Sequence, residues 1–325
     1  MCNELMEQKK HVQYIIMTIN NELENKITIA GELGSGKSTI GKMIAHLECI
    51  DYYSTGEILR KIASNMNKSI LEMNKYAEEN KSIDDEIDGF TINLGKSNTS
   101  FVMDSRMAWH FIPHSFKVML IVDSKTAALR IIGQVDRTSE SYVDVDAAVN
   151  DLMQRKESER KRFVELYSVD YTDKKNFDLI LDTTISTPES LSAFILDKYL
   201  CWKKNGYQAG FWISPKRLMP AQHITMPGDD DYKVLELNMK MNGYDESCPI
   251  TVIKKNDNYY ILDGHKRTSV AIHLSLEYVP ILLLSDEDNE KEIFPGLTPP
   301  KYIETTTSKS LLHDWEDAHG FRFMV

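Results

Sequence analysis

Residues 26–41 read KITIAGELGSGKSTIG, and within them sits Gly31-x-x-x-x-Gly36-Lys37-Ser38. The run Ile27, Thr28, Ile29, Ala30 is short, mostly apolar and rich in β-branched side chains, which suits a buried strand. A turn containing Gly31, Gly34, Ser35 and Gly36 follows, and helix-forming residues run on from Lys37, Ser38 and Thr39. Strand, glycine loop and helix in that order predict a phosphate-binding loop. Glycines carry no Cβ, so several backbone N–H groups can converge on phosphate oxygens. Lys37 adds a point charge at the terminal phosphates, Ser38 a hydroxyl for Mg²⁺, and the helix its positive N-terminal end. The same letters also fit a glycine turn with a surface lysine. The strand before and the helix after favour the phosphate loop.

Bulk properties bound the rest. A chain of 325 residues has room for two domains, and 42% hydrophobic content suffices for packed cores. A net charge of −11 argues against a general nucleic-acid-binding surface. Cys2, Cys49, Cys201 and Cys248 are scattered, with no Cys-x-x-Cys pair. That argues against a zinc site or a disulfide framework and for a reducing cytoplasm. The start, MCNELMEQKKHVQ, has no apolar signal core, and no run approaches membrane-spanning length. The expectation is a soluble cytoplasmic protein with no membrane partner.

Along the chain, residues 1–24 read as a helical extension. From 25 to 198, short apolar runs alternate with helical stretches: KITIA, SFVMD (100–104), KVMLIV (117–122) and FDLILDT (177–183). This is the pattern of a parallel α/β sheet flanked by helices on both faces. Residues 199–209 break the pattern and read as a linker. A smaller α+β unit is expected over 210–285, with a helix near 230–242 and a hairpin, ITVIKKNDNYYILD, turning at Lys255-Asn256-Asp257-Asn258. Residues 286–325 form an acidic, proline-bearing tail ending in SLLHDWEDAHGFRFMV, read as a docking helix.

Candidate chemistry lies beyond the loop. Thr55, Gly56 and Arg60 open a helix and can hold a monophosphate, or serve as a cap and a wet-face arginine. Asp104 and Arg106 close the run VMDSR, at a strand's carboxyl end, where open α/β sheets bind ligands. Asp104 would orient Mg²⁺ or the acceptor, and Arg106 would take an acceptor phosphate; a helix cap and a surface arginine fit as well. Arg155, Glu159 and Arg162 fall at i, i+4 and i+7 of one helix and share a face. Arginines closing over a transferring phosphoryl group stabilise its charge, often from a lid that excludes water. Arg130 and Arg137 lie upstream in that lid region. A solvated charge run is the alternative.

Taken in order, GELGSGKST, STGEILR, LEMNKYAEENKSIDDEID, DSRMAW, RKESERKRFVELYSVDYTD and FDLILDTT make residues 26–195 resemble the cytidylate kinases, especially their shorter archaeal-type branch. The resemblance implies a P-loop kinase that uses ATP and Mg²⁺ on a nucleotide substrate. It implies that Thr55 and Arg60 bind the acceptor and Arg106 holds its phosphate. Arg155 and Arg162 become lid arginines, and Glu159 contacts the pyrimidine nucleotide. Three positions depart from the family pattern. Asp104-Ser105-Arg106 replaces a glycine-containing turn, Asp88-Gly89-Phe90 stands where the related branch carries arginine, and Glu32 replaces a proline.

Further on, Asp263-Gly264-His265-Lys266-Arg267-Thr268 reads as strand, tight turn and helix start, an arrangement that can bind an anion. With the hairpin before it, the stretch 211–285 resembles the ParB/sulfiredoxin-like fold, whose members bind CTP, ATP or ADP. His265 stands where sulfiredoxin chemistry needs cysteine. Gln222, in Leu218-Met-Pro220-Ala-Gln222, stands where the serine-kinase branch carries glutamate, and it cannot act as a general base.

The leading expectation is therefore a CMP or dCMP kinase fused to a ParB-like nucleotide-binding domain. Lys37, Asp104, Arg155 and Arg162 would be catalytic, and Ser38 with Asp104 would hold the metal. The alternatives are a kinase for a metabolite or amino-acid hydroxyl and a nucleotide-gated, DNA-associated switch.

Overall fold

Strand β1 (Lys26–Gly31) is buried along almost its whole length, with Ile27 and Ile29 at 0% exposure. Even Thr28 is buried, its hydroxyl sharing a hydrogen bond with Ser115 at 2.9 Å. Burial on both faces is why the strand reads as a continuous run rather than an alternation. The computed structural model describes residues 25–68, 72–73, 76, 80–133, 142, 144–206, 210–223, 230–293 and 295–323. The expected extension 1–24 and Arg137 lie outside them. By internal contacts the chain divides into two units. One runs up to Ala30 and resumes over Lys37–Lys117, and the other comprises Gly31–Gly36 and Val118–Val325.

In the first unit, β1, β2 (Asp51–Ser54) and β3 (Phe101–Asp104) are parallel in the order β2-β3-β1. The register pairs Asp104 with Ile29 on one side and with Ser54 on the other. Helices Lys37–Glu48, Thr55–Asn65, Lys81–Lys96 and Ala108–Phe111 accompany the strands. Phe101, Met103, Ala108 and Ile112 form one apolar cluster, and Ala63, Met73 and Ile83 another. Strand β2 was not expected from the sequence. Its four residues DYYS begin and end on polar side chains, and only pairing with β3 makes them a strand.

In the second unit, β4 (Phe116–Ile121), β5 (Leu179–Asp182), β6 (Gly210–Ile213), β7 (Leu218–Met219), β8 (Ile250–Lys255), β9 (Asn258–Asp263) and β10 (Val279–Leu283) follow the order β4-β5-β6-β10-β8-β9-β7. The pairs β4–β5 and β5–β6 are parallel, β6–β10 is antiparallel, and β8–β9 is the expected hairpin.

The linker expected at 199–209 is corrected: helix Pro188–Asn205 runs through most of it and ends at Gly206 in the left-handed region (φ 63°). Lys203 and Lys204 in the last turn followed by Gly206 are C-terminal helix chemistry. Inside the same helix, Tyr199 is 2% exposed and stacks on Trp202. The chain then returns as β6, parallel to β5, so the sheet continues where a boundary was expected.

The tail is packed rather than loose. Ile303 of helix Pro299–Thr306 joins Ala221 and Ile253. Helix Lys309–His319 buries Leu311 and Trp315, and its His319 Nε2 bonds Ser269 at 2.7 Å. Among the described residues no helix is long and apolar enough to cross a membrane.

Candidate active site

The loop Gly31–Gly36 needs its glycines. A Cβ on Gly31 (φ +152°) would lie 2.3 Å from the Leu120 carbonyl oxygen, and one on Gly34 (φ +76°) 2.8 Å from the Ala127 backbone. The Glu32 N–H donates to the Leu120 carbonyl at 3.0 Å, and the buried Ser35 hydroxyl closes the turn onto the Glu32 carbonyl at 2.8 Å. Glu32, the acidic departure from the family pattern, is accounted for. One carboxylate oxygen accepts from the Val122 N–H at 3.1 Å and the other is paired with Lys156. Its charge is matched within the fold.

Arg130 has a different job from the expected substrate contact in the lid. It lies on helix Ser124–Ile132. It donates to the Gly34 carbonyl (3.2 Å), the Thr183 hydroxyl (3.2 Å), and the carbonyls of Thr183 (2.7 Å) and Thr184 (3.2 Å). Its planar, forked donor set is thereby committed to tying the loop to the end of β5.

Helix Val145–Tyr167 starts on Asp144, whose carboxylate accepts from the Ala147 N–H. Arg155, Glu159 and Arg162 are half-buried along one face, whereas Lys156, Glu157, Ser158, Arg160 and Lys161 are exposed. The predicted shared face is thus the inward one. Arg155 lies 4.0 Å from Asp151, and the Arg162 guanidinium lies over the Phe163 ring. Arg160 is structural, bonded to Asp170 at 2.8 Å. The part played by Lys156 was not visible in the sequence, because its partner lies 124 positions away.

In the first unit, Lys37, Ser38 and Thr39 open helix Lys37–Glu48. Ser38 Oγ donates to Asp104 Oδ2 at 2.7 Å, and the Tyr52 hydroxyl donates to the same oxygen at 3.0 Å. Asp104 is only 6% exposed. Burial, and then the Asp104 charge, push the Tyr52 phenol far above its ordinary value, so it stays a protonated donor. Tyr52 is a site residue that sequence reading missed; its only signal is a place two residues before Ser54 on the same strand face. Thr55 Oγ1 reaches the Asp104 carbonyl at 3.5 Å. Arg60, exposed, folds back over its own first turn, with Nη1 3.6 Å from the place a Gly56 Cβ would occupy. Arg106 follows directly and is half-buried, its carbonyl accepting from the Trp109 indole. Ser38, Tyr52, Thr55 and Asp104 therefore meet at the carboxyl ends of parallel strands.

A family model described as the cytidylate kinase-like family matches residues 26–185. The cytidylate kinase of Thermoplasma volcanium is 30% identical over 177 residues, which are 53% of this chain and 90% of that protein. That of Methanocaldococcus jannaschii is 35% identical over 160 residues, 49% of this chain and 88% of that protein. The chain belongs to the cytidylate kinase-like family. An S-adenosylmethionine-dependent nucleotide dehydratase of Lacinutrix mariniflava is 33% identical over 180 residues, but the match spans only 36% of that protein. Among solved structures, a shikimate kinase from Acinetobacter baumannii in complex with shikimate superposes with a TM-score of 0.40 at 16% identity, over 54% of this chain and 96% of that one. The protein is a nucleotide kinase of P-loop kinase-like α/β fold, and the region beyond residue 185 is outside the family match.

In that region lies the stretch expected to form an anion turn. Gly264 (φ 104°) starts helix His265–His273 as expected. Arg267 is paired with Asp263 and donates to the carbonyls of Cys248 and Pro249, the latter at 3.1 Å. The Thr268 hydroxyl turns inward to the Gly264 carbonyl, and Lys266 lies 3.9 Å from Asp231. His265 is 2% exposed, and its Nε2 accepts from the Ala221 N–H at 3.0 Å. The side chains of Arg267, Thr268 and His265 are thus engaged within the fold.

Burial lowers the His265 pKa from 6.5 to about 4. The folded state keeps this imidazole neutral, whereas the unfolded chain protonates it below its ordinary value. Stability should therefore be complete above pH 6.5 and fall by about 3 kcal/mol in all as the pH drops to 4. Urea unfolding at pH 7 and pH 4.5 measures this. A slope in that window that is the same in His265→Gln would refute it.

Proposed function

We propose that this kinase transfers a phosphoryl group from ATP to a nucleoside monophosphate, with CMP or dCMP as the preferred acceptor. The observation that carries the reading is the junction of Ser38 and Tyr52 on the buried Asp104 carboxylate, with Thr55 at the Asp104 backbone carbonyl, in a cytidylate kinase-like chain. In the proposal, the loop amides and Lys37 hold the donor's phosphates. Thr55, Arg60 and Arg106 orient the acceptor, and Glu159 faces the pyrimidine. An acceptor phosphate oxygen bonds to the γ-phosphorus while the β–γ bridging bond breaks, and ADP leaves. Arg155 and Arg162 offset the charge that accumulates on the transferring group.

Magnesium fits this site by donor chemistry. Ser38 and Asp104 offer hard oxygen atoms, and no cluster of three or more His, Cys, Asp or Glu that could hold a metal exists among the described residues. A cation held by few protein oxygens, with phosphates and water completing its shell, is magnesium's usual habit. When bound it would neutralise charge on the donor's phosphates. The unpaired cysteines Cys49, Cys201 and Cys248 suit a reducing compartment.

A hydroxyl-metabolite acceptor is the second reading. It is favoured by Phe90, which packs edge-on against Tyr53 with centroids 5.7 Å apart where the related branch carries arginine. An acceptor panel with labelled ATP decides. Transfer to CMP or dCMP, with little to AMP and none to serine or shikimate, is the expected result. Transfer to a hydroxyl compound alone would overturn the nucleotide reading. The ParB/sulfiredoxin-like reading of 210–285 is supported by its hairpin and glycine-started helix, while the engaged Arg267 and His265 weigh against nucleotide binding there.

A further inference from the structure

The β8–β9 hairpin turn lies outside the family match, yet it reaches the machinery that holds the phosphate loop. Asp257 Oδ2 accepts from the Ser124 N–H at 3.0 Å, across 133 positions of sequence. Ser124 is the first residue of helix Ser124–Ile132. That helix meets the loop twice: Arg130 donates to the Gly34 carbonyl, and the Ala127 backbone fills the space a Gly34 Cβ would need. The turn is itself anchored. Arg217 donates to the Asp257 carbonyl at 3.0 Å, and Lys254 lies 3.5 Å from the other carboxylate oxygen. A bond at the helix start and contacts along its length make the helix a rigid strut between turn and loop.

We propose that Asp257 is a positioning residue of this kinase: through the Ser124 N–H and helix Ser124–Ile132 it sets the conformation of the phosphate loop. The region beyond the family match thereby acquires a function as a brace on the donor site. The proposal rests on reading Gly31–Gly36 as a phosphate loop.

The test uses the full chain. Asp257→Ala removes the acceptor, and residue 257 is not in the left-handed region, so alanine meets no backbone strain. Ser124→Pro removes the donor. Proline is favoured at the first helical position, and Asp123 before it is already extended (φ −68°, ψ 150°). Both variants should raise KM for ATP by about fivefold with kcat within about twofold, since the bonding of Asp257 to the Ser124 N–H and hydroxyl, which supports ground-state binding, is lost. Without nucleotide, both should speed hydrogen exchange in the peptide containing 31–36. Asp257→Asn keeps an oxygen acceptor and should restore both readouts.

Unchanged KM and unchanged loop exchange in Ser124→Pro would overturn the brace. So would equal losses in the alanine and asparagine variants. If the wild type transfers no phosphate at all, the kinase reading falls, and the exchange comparison still decides the brace.

Discussion

Lys37→Ala is expected to lower phosphoryl-transfer turnover by roughly 10²–10³-fold, the loss typical of removing one preorganised charge-stabilising group from a transition state. That corresponds to about 3–4 kcal/mol of barrier. Stability should hardly move. Lys37 is the half-buried first residue of helix Lys37–Glu48, and alanine is the best helix former. A shift within about 0.5 kcal/mol is expected. ADP release with saturating CMP, measured beside a denaturation curve, separates the two effects. Turnover within a few-fold of wild type would remove the donor-site assignment.

Arg217→Met should chiefly damage folding. Arg217 is 6% exposed, and its Nε lies 3.8 Å from Asp182, itself 3% exposed. Burial pushes the Asp182 carboxyl upward, and the Arg217 charge is the largest opposing influence, followed by the Thr184 N–H. Removing the cation leaves a buried carboxylate with too little compensation, at a cost of about 3–5 kcal/mol. The cost should shrink at low pH, because Asp182 can then protonate and shed its charge. Changing Asp182→Asn in the same chain should recover much of the loss, since the amide carries no charge to offset. Chemical denaturation of the single and double variants checks this. Equal stability of Arg217→Met and wild type would show that other groups compensate Asp182.

The parts of the donor site that were legible in the sequence are the local ones. KITIA predicted β1, the glycines predicted the loop, and GKST predicted a helix from Lys37, because each of these depends on neighbours within a few positions. The i, i+4, i+7 spacing of Arg155, Glu159 and Arg162 also predicted a shared face, and that face is half-buried. Strand β2 was missed because DYYS has no periodicity of its own. The linker at 199–209 was misread because a lysine–glycine ending looks the same at a helix terminus and in a loop. The internal partners of the side chains at 263–268 were not legible for a similar reason. Arginine, histidine and threonine at a helix start suit an anion equally well as they suit Asp263, the Ala221 N–H and the Gly264 carbonyl.

Strand β1, the glycine turn after it and the helix from Lys37 were legible in the sequence, since backbone conformation, helix starts and strand burial are written in short-range residue choice. Only the tertiary structure decided which charges remain available for chemistry. Glu32 is matched by Lys156, Arg130 is taken up by the loop and by β5, and Asp257 braces a helix 133 positions earlier in the chain. Each of these depends on side chains brought together from distant positions. Pairing a charge at a half-buried position requires both partners there at once, and nothing in either local sequence specifies the other.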